Sequence, residues 1–153
     1  MIPPAMLELL QTGVSVVVGT RDATLMPECT RAWGIRVGSD RISVTIFLTE
    51  AISEQTLRNL RANGLVAISC TRPTDHVACQ LKGRVQTIRP ATRRESQQSH
   101  AWQREFIEEL VAIGVPASLG EAWITEPALA VEIRVTDAFH QTPGPGTGEK
   151  VTT

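Results

Sequence analysis

The side chains best equipped for chemistry in this chain are arginines rather than acids, thiols or imidazoles. Lys82 and Lys150 are the only lysines, so nearly all the positive charge is guanidinium. A guanidinium forks onto phosphate or carboxylate through paired N–H groups, which suits an anionic ligand. The same bias is also what a GC-rich genome produces. The three cysteines, Cys29, Cys70 and Cys79, are odd in number and form no C-x-x-C pair. That argues against a disulfide framework or a zinc site. Cys29 and Cys79 stand among apolar strand positions and are expected to be small core residues. His76, His100 and His140 lack ligand spacing, so neither a metal site nor a Cys-His nucleophile is expected. The chain has no G-x-S-x-G, no P-loop and no G-x-G-x-x-G after a strand. Carboxylates such as Glu108 and Glu109 fit a solvated helix face. Acid-base catalysis by the chain's own side chains thus has no positive support.

Size and charge narrow the classes. A chain of 153 residues with 42% apolar residues suits one domain with one core. A net charge of -1 gives no general pull toward nucleic acid. No apolar run reaches the roughly 18 residues of a membrane span. Met1-Ile2-Pro3-Pro4 lacks the charged and apolar regions of a signal peptide. A reducing, cytoplasmic setting is expected.

The periodicities then supply the elements that must position any ligand. Pro3 and Pro4 can open a helix whose apolar side is Met6, Leu7, Leu9 and Leu10, ending at Gly13. Val14 to Thr20 reads as a buried β-branched strand. Cys29 to Val37 alternates as one strand, and Gly38-Ser39-Asp40 turns it into a third strand ending at Leu48. Ser53 is a candidate N-cap for a helix with Leu57 and Leu60 on one face, stopped at Asn63-Gly64. Leu65 to Thr71 and His76 to Ile88 are strands, with Gly83 marking a bend or bulge in the second. Residues 91–113 have helical spacing of Trp102, Phe106, Leu110 and Ile113, a packing stripe. Pro116 to Trp123 is irregular or a short helix, and Ala128 to Phe139 is the last strand. Residues 141–153, rich in Gly, Pro and Thr, read as a flexible C-terminal tail after a domain of residues 1–140.

This order suits a mainly β, α+β fold: a six-stranded antiparallel barrel with flanking helices. A barrel of six strands is filled by its own side chains. Any ligand must therefore sit on its outside or between subunits.

One ordered set of segments carries a resemblance. It runs Arg31-Ala32-Trp33-Gly34-Ile35-Arg36, Phe47-Leu48-Thr49, Ser53 to Asn63 (reading T-L-R-N-L-R-A-N from Thr56), Val66-Ala67-Ile68-Ser69, and Cys79-Gln80-Leu81-Lys82-Gly83. This set resembles the FMN-binding split-barrel family, the pyridoxamine 5'-phosphate oxidase-like proteins, over roughly residues 5–139. The resemblance implies a six-stranded antiparallel split β-barrel with flanking helices, and a homodimer with FMN in a groove at the subunit interface. It implies phosphate contacts from the second strand and from the loop and helix start after the third, here Arg31, Arg36, Thr49, Ser53, Gln55 and Thr56. The physics agrees, because a helix start offers free N–H groups and a favourable dipole to an anion. Gln80 and Lys82 share one face of the fifth strand and could donate to a flavin ring. Trp33 could stack on a ring system or anchor a core or interface.

The chain also departs from the family. Its best-known members carry Ser-Arg-Lys at the helix start, whereas this chain has Glu54-Gln55-Thr56. Residues specific for pyridoxamine phosphate have no counterpart, so pyridoxal phosphate synthesis is not expected. The expected function is an FMN-binding flavoprotein acting as a flavin-dependent oxidoreductase on a small-molecule substrate or electron donor. The alternatives are a non-catalytic flavin- or haem-binding module, or a deazaflavin-dependent reductase on the same barrel.

Overall fold

Two prolines at the head of a helix cost no hydrogen bond, since its first N–H groups have no partner in the helix. In the computed structural model, which describes residues 1–151, Pro4 duly opens α1 (Pro4–Leu10). Its Met6, Leu9 and Leu10 are buried, together with Ile2. The chain continues through β1 (Ser15–Arg21), β2 (Pro27–Ala32), β3 (Ile35–Val37) and β4 (Ser43–Leu48). One turn of 3-10 helix (Glu50–Ile52) leads into α2 (Glu54–Asn63), which Gly64 ends in a left-handed conformation. Then follow β5 (Leu65–Thr71), β6 (Ala78–Pro90), α3 (Arg93–Ala112), α4 (Ala117–Glu121) and β7 (Leu129–His140).

All strand pairs are antiparallel, in the spatial order β2-β1-β5-β6-β7-β4-β3. The two edges, β2 and β3, are consecutive in sequence, separated only by Trp33 and Gly34. The sheet therefore curls until its first and last strands are one broken strand. This break is why seven strands stand where six were expected. The alternation of residues 29–37 fails at Gly34, whose φ of +129° suits glycine alone. The Trp33 N–H still donates to the Phe47 carbonyl at 2.8 Å across the gap.

The break also reassigns the faces of this segment. Thr30 and Ala32 point inward on β2, which turns Cys29 outward. Cys29 is exposed, contrary to the expected core position, while Cys70 and Cys79 are buried. The barrel interior is filled by Val16, Val18, Ile46, Leu48, Ile68, Leu81, Val131 and Ile133, each 1% exposed or less. A shift of register falls between Lys82 and Gly83, at the expected bulge.

Helix α3 docks through its first turn. Thr92 and Glu95 form a reciprocal capping box. The Glu95 carboxylate also accepts from Arg89 at 2.8 Å and from Arg36 at 3.0 Å, and Arg89 reaches on to Glu132 at 2.8 Å. Glu95 is only 4% exposed. These charge-assisted contacts hold its carboxyl well below the usual carboxylate range, Arg89 contributing most.

Residues 141–151 of the segment read as a flexible tail have partners on β6 and β7, and the rest of it lies outside the described residues. The Gln141 N–H donates to the Ala78 carbonyl, the His140 N–H to Glu149, and the Val151 N–H to Ala138. Phe139 and Lys150 form a β-bridge. No helix is long and apolar enough to cross a membrane among the described residues.

Candidate functional site

Side chains alternate across a strand, so residues in register on neighbouring strands share a wall of the sheet. On the outer wall, Gly19, Ala67, Lys82 and Asp137 follow one another across β1, β5, β6 and β7. A groove of about 540 Å³ lies over this row. That volume is within the range of small-molecule sites.

Its floor is low because two neighbours in the row are small. A Cβ placed on Gly19 would meet only Ala67, no nearer than 3.8 Å, so the space above it is open. Its rim is basic. Arg21, Lys82 and Arg84 all line the groove. Lys82 Nζ stands 4.8 Å from the centre of the Phe139 ring, a favourable cation–π distance. Arg21 donates one hydrogen bond to the Asp22 carbonyl at 3.0 Å. The Arg84 guanidinium has no hydrogen bond or ion pair among the described residues. Asp137 is the one carboxylate in the lining. The Lys150 ammonium pairs with it and the Thr136 hydroxyl donates to it at 2.8 Å. Lys150 and then Thr136 hold this carboxyl below its usual range. Three cations therefore face the groove against one carboxylate that already has a cation, a field that favours an anion.

Of the residues singled out from sequence, the structure brings only Lys82 into the lining; Gln80 lies one outward position further along β6. Gln80 donates to the Ser69 hydroxyl at 3.1 Å across the β5–β6 ladder. Arg31 and Arg36 do not share a site. Arg31 donates to Ser15 Oγ at 3.0 Å and lies 5.2 Å from the Phe106 ring and 5.9 Å from that of Trp33. It has no carboxylate partner among the described residues, and burial lowers its pKa. Arg36 is committed to Glu95, with Thr45 at 3.3 Å and Gln98 at 3.4 Å. Its partner Glu95 and Arg31's partner Phe106 are eleven residues apart on α3, about 16 Å along the helix axis at the usual rise.

Trp33 is buried under α3, and its backbone carbonyl accepts from the Ser99 hydroxyl. The α2 start is closed as well. Ser53 and Thr56 are 1% and 0% exposed, and Ser53 Oγ shares a hydrogen bond with Thr30 Oγ1 at 3.3 Å instead of capping the helix. Thr56 Oγ1 is buried without a partner. Glu54 pairs with Arg58, and Gln55 accepts from Arg58 and donates to Asn59 at 2.8 Å. Thr49 shares a hydrogen bond with Thr125 at 3.2 Å. The contacts of Glu54 and Gln55 stay within α2, and of this set only Ser53 ties the helix start to the barrel, through Thr30.

Sequence reasoning missed Arg21, Arg84, Gly19 and Ala67. A signal for three of them was present. Arg84 is two residues after Lys82 on the same strand face, and Gly19 and Arg21 continue the outward series Ser15, Val17 of β1. What the sequence did not show was the register that brings β1 beside β5 and β6.

No family model matches the sequence, and no curated protein matches it. Solved structures do match in fold. HupZ from Group A Streptococcus is 18% identical with a TM-score of 0.61, over 97% of this chain and 100% of that one. An F420 reductase is 18% identical with a TM-score of 0.56, over 90% and 98%. A pyridoxamine 5'-phosphate oxidase-related, FMN-binding protein from Nostoc punctiforme is 11% identical with a TM-score of 0.52, over 99% and 98%. What these structures share with the chain is its curled sheet and flanking helices, and by that measure it has the split β-barrel fold of the pyridoxamine 5'-phosphate oxidase-like proteins.

Proposed function

We propose that this chain is a flavoprotein that binds FMN in the outer groove of β1, β5, β6 and β7. The groove carries the reading: a basic rim with an unengaged guanidinium, Arg84, beside a floor of Gly19 and Ala67 flat enough for a planar ring. The donors fit the cofactor's phosphate, and the small residues fit its ring. Arg21, Lys82 and Arg84 would hold the anionic end, and Gly19 and Ala67 would lie under the ring. FMN, when bound, supplies the hydride and electron transfer that no arrangement of side chains here provides. In this reading the chain is an oxidoreductase acting between a small-molecule electron donor and a substrate. Anaerobic mixing of the FMN-loaded protein with NADH or NADPH tests the catalytic part. Bleaching at a turnover rate supports an enzyme, and persistent oxidised flavin supports a carrier.

Titration of the protein with FMN, followed by the flavin absorbance that is retained on dialysis, tests the site. Arg84→Ala and Lys82→Ala are each expected to weaken FMN about tenfold or more, the worth of one charge-assisted hydrogen bond. Gly19→Val is expected to abolish binding while leaving the fold intact, because valine suits a strand and its side chain fills the floor. Unchanged affinity in all three variants would place the ligand elsewhere.

A deazaflavin is the second reading, favoured by the fold shared with an F420 reductase. Competition between F420 and FMN in the same dialysis separates the two. Haem fits the groove less well, since no histidine, cysteine or methionine lines it among the described residues. A second copy of the chain would close the open side of the groove as a homodimer, burying Val17, which is 37% exposed on the same wall. Sedimentation at micromolar concentration should then show a dimer, and a stable monomer would refute this arrangement.

A further inference from the structure

Cys70 on β5 and Cys79 on β6 are direct partners in the antiparallel ladder. Both side chains face the barrel interior, 0% and 1% exposed. Opposed residues in such a ladder have Cα atoms about 4.5 or 5.5 Å apart, depending on the rung. Both separations fall within the roughly 4.4–6.8 Å that a disulfide spans. The neighbouring Cys79, and then burial, pushes the Cys70 thiol up, whereas Cys70 lowers Cys79, so Cys79 is the readier of the two to lose its proton. The pair is one rung from the end of the hairpin, since Thr71 and Ala78 form the last pair before the loop. That last rung is flanked by Ser15 of β1 and by Gln141 and Thr142, so the thiols are reached when it opens locally.

We propose that Cys70 and Cys79 are a reversible oxidation site, forming a cross-strand disulfide when a hydroperoxide is the oxidant. All three cysteines are free thiols in the structure. As the end rung opens, the Cys79 thiolate attacks one peroxide oxygen. The O–O bond breaks, an S–O bond forms, and the displaced oxygen leaves as water or alcohol after taking a proton. The Cys70 thiol then attacks the Cys79 sulfur of this sulfenic acid. The S–S bond forms, the S–O bond breaks, and the hydroxyl leaves as water with the Cys70 proton. The two sulfurs give up two electrons and the peroxide takes both. Cys29 cannot substitute for either partner. It is on the opposite wall face and pairs in register with Gly19.

The test uses the full chain carrying Cys29→Ser, treated with hydrogen peroxide, unfolded and alkylated. The expected product is lower in mass by two hydrogens, takes up no alkylating reagent, and yields a linked peptide pair containing Cys70 and Cys79. Dithiothreitol should restore both thiols. In Cys70→Ser, Cys79 should instead accumulate as a sulfenic acid that dimedone traps. The proposal is overturned if both thiols still alkylate after peroxide that oxidises Cys29 in the parent chain. It is equally overturned if Cys79 passes to the sulfinic acid while Cys70 stays free. Neither outcome depends on flavin binding.

Discussion

Gly83→Ala is expected to lower the stability of the folded chain by at least about 3 kcal/mol, the upper end of ordinary overpacking costs. Gly83 faces the interior of β6 where the register against β7 shifts. A Cβ there would overlap the Arg134 carbonyl oxygen and stand 2.8 Å from Ile133 Cγ2. The overlapping atom is backbone, so no side-chain rotation relieves it. Moving it breaks hydrogen bonds of the longest ladder in the sheet. Urea unfolding provides the measurement, with Gly19→Ala as the control. The control adds the same methyl group on the outer wall, where its nearest neighbour is 3.8 Å away, and should stay within about 0.5 kcal/mol of the parent. Equal midpoints for the two variants would mean that the β6–β7 crossing is looser than described. Because Lys82 and Arg84 flank Gly83, a refolded Gly83→Ala chain should also bind FMN more weakly.

Glu95→Ala is expected to be the second most damaging change, by about 2–3 kcal/mol at neutral pH. Breaking a buried charge pair costs about 3–5 kcal/mol. That figure is reduced here because the Arg36 and Arg89 side chains are 42% and 31% exposed. The capping box adds roughly 1 kcal/mol. The pH dependence has a definite sign. The folded-state pKa of Glu95 lies below its ordinary value of 4.5, so its contribution is complete above that value. As pH falls below it, the unfolded chain takes up a proton that the folded chain refuses, and the contribution declines. The gap in melting temperature between parent and Glu95→Ala should therefore be widest near neutrality and narrow through the acid range. A gap that holds constant down to pH 3 would show that the arginine pairs contribute little.

The two glycines and Glu95 also show what the sequence can and cannot convey. Strand and helix positions followed from periodicity, and the bulge at Gly83 from a glycine inside a long alternating run. The strand count did not. Residues 29–37 alternate as if continuous, and only the φ of Gly34 reveals that the chain changes sheet edge there. That turn also parts Arg31 from Arg36. They are five positions apart in sequence, yet one meets Phe106 and the other Glu95. Ser53 and Thr56 read from sequence as hydroxyls at a helix start, but nothing in the sequence indicates that Thr30 lies against Ser53 or that Thr56 is sealed from solvent. Local pattern fixes which face a residue takes. It is the pairing of distant strands that decides what stands next to it, and that pairing placed Arg21 and Arg84 on one rim.

The docking of α3 has an optical consequence. Trp33 and Trp102 are 7% and 8% exposed beneath or within that helix, whereas Trp123 is 48% exposed beyond it. The chain contains no tyrosine, so its intrinsic ultraviolet emission belongs almost wholly to these three indoles. Two emit from an apolar setting and one from water, giving a composite spectrum. If α3 lifts from the barrel, the two sealed indoles should shift to the red together, toward the emission of the half-exposed third. The protein thus carries a label-free reporter of a single helix.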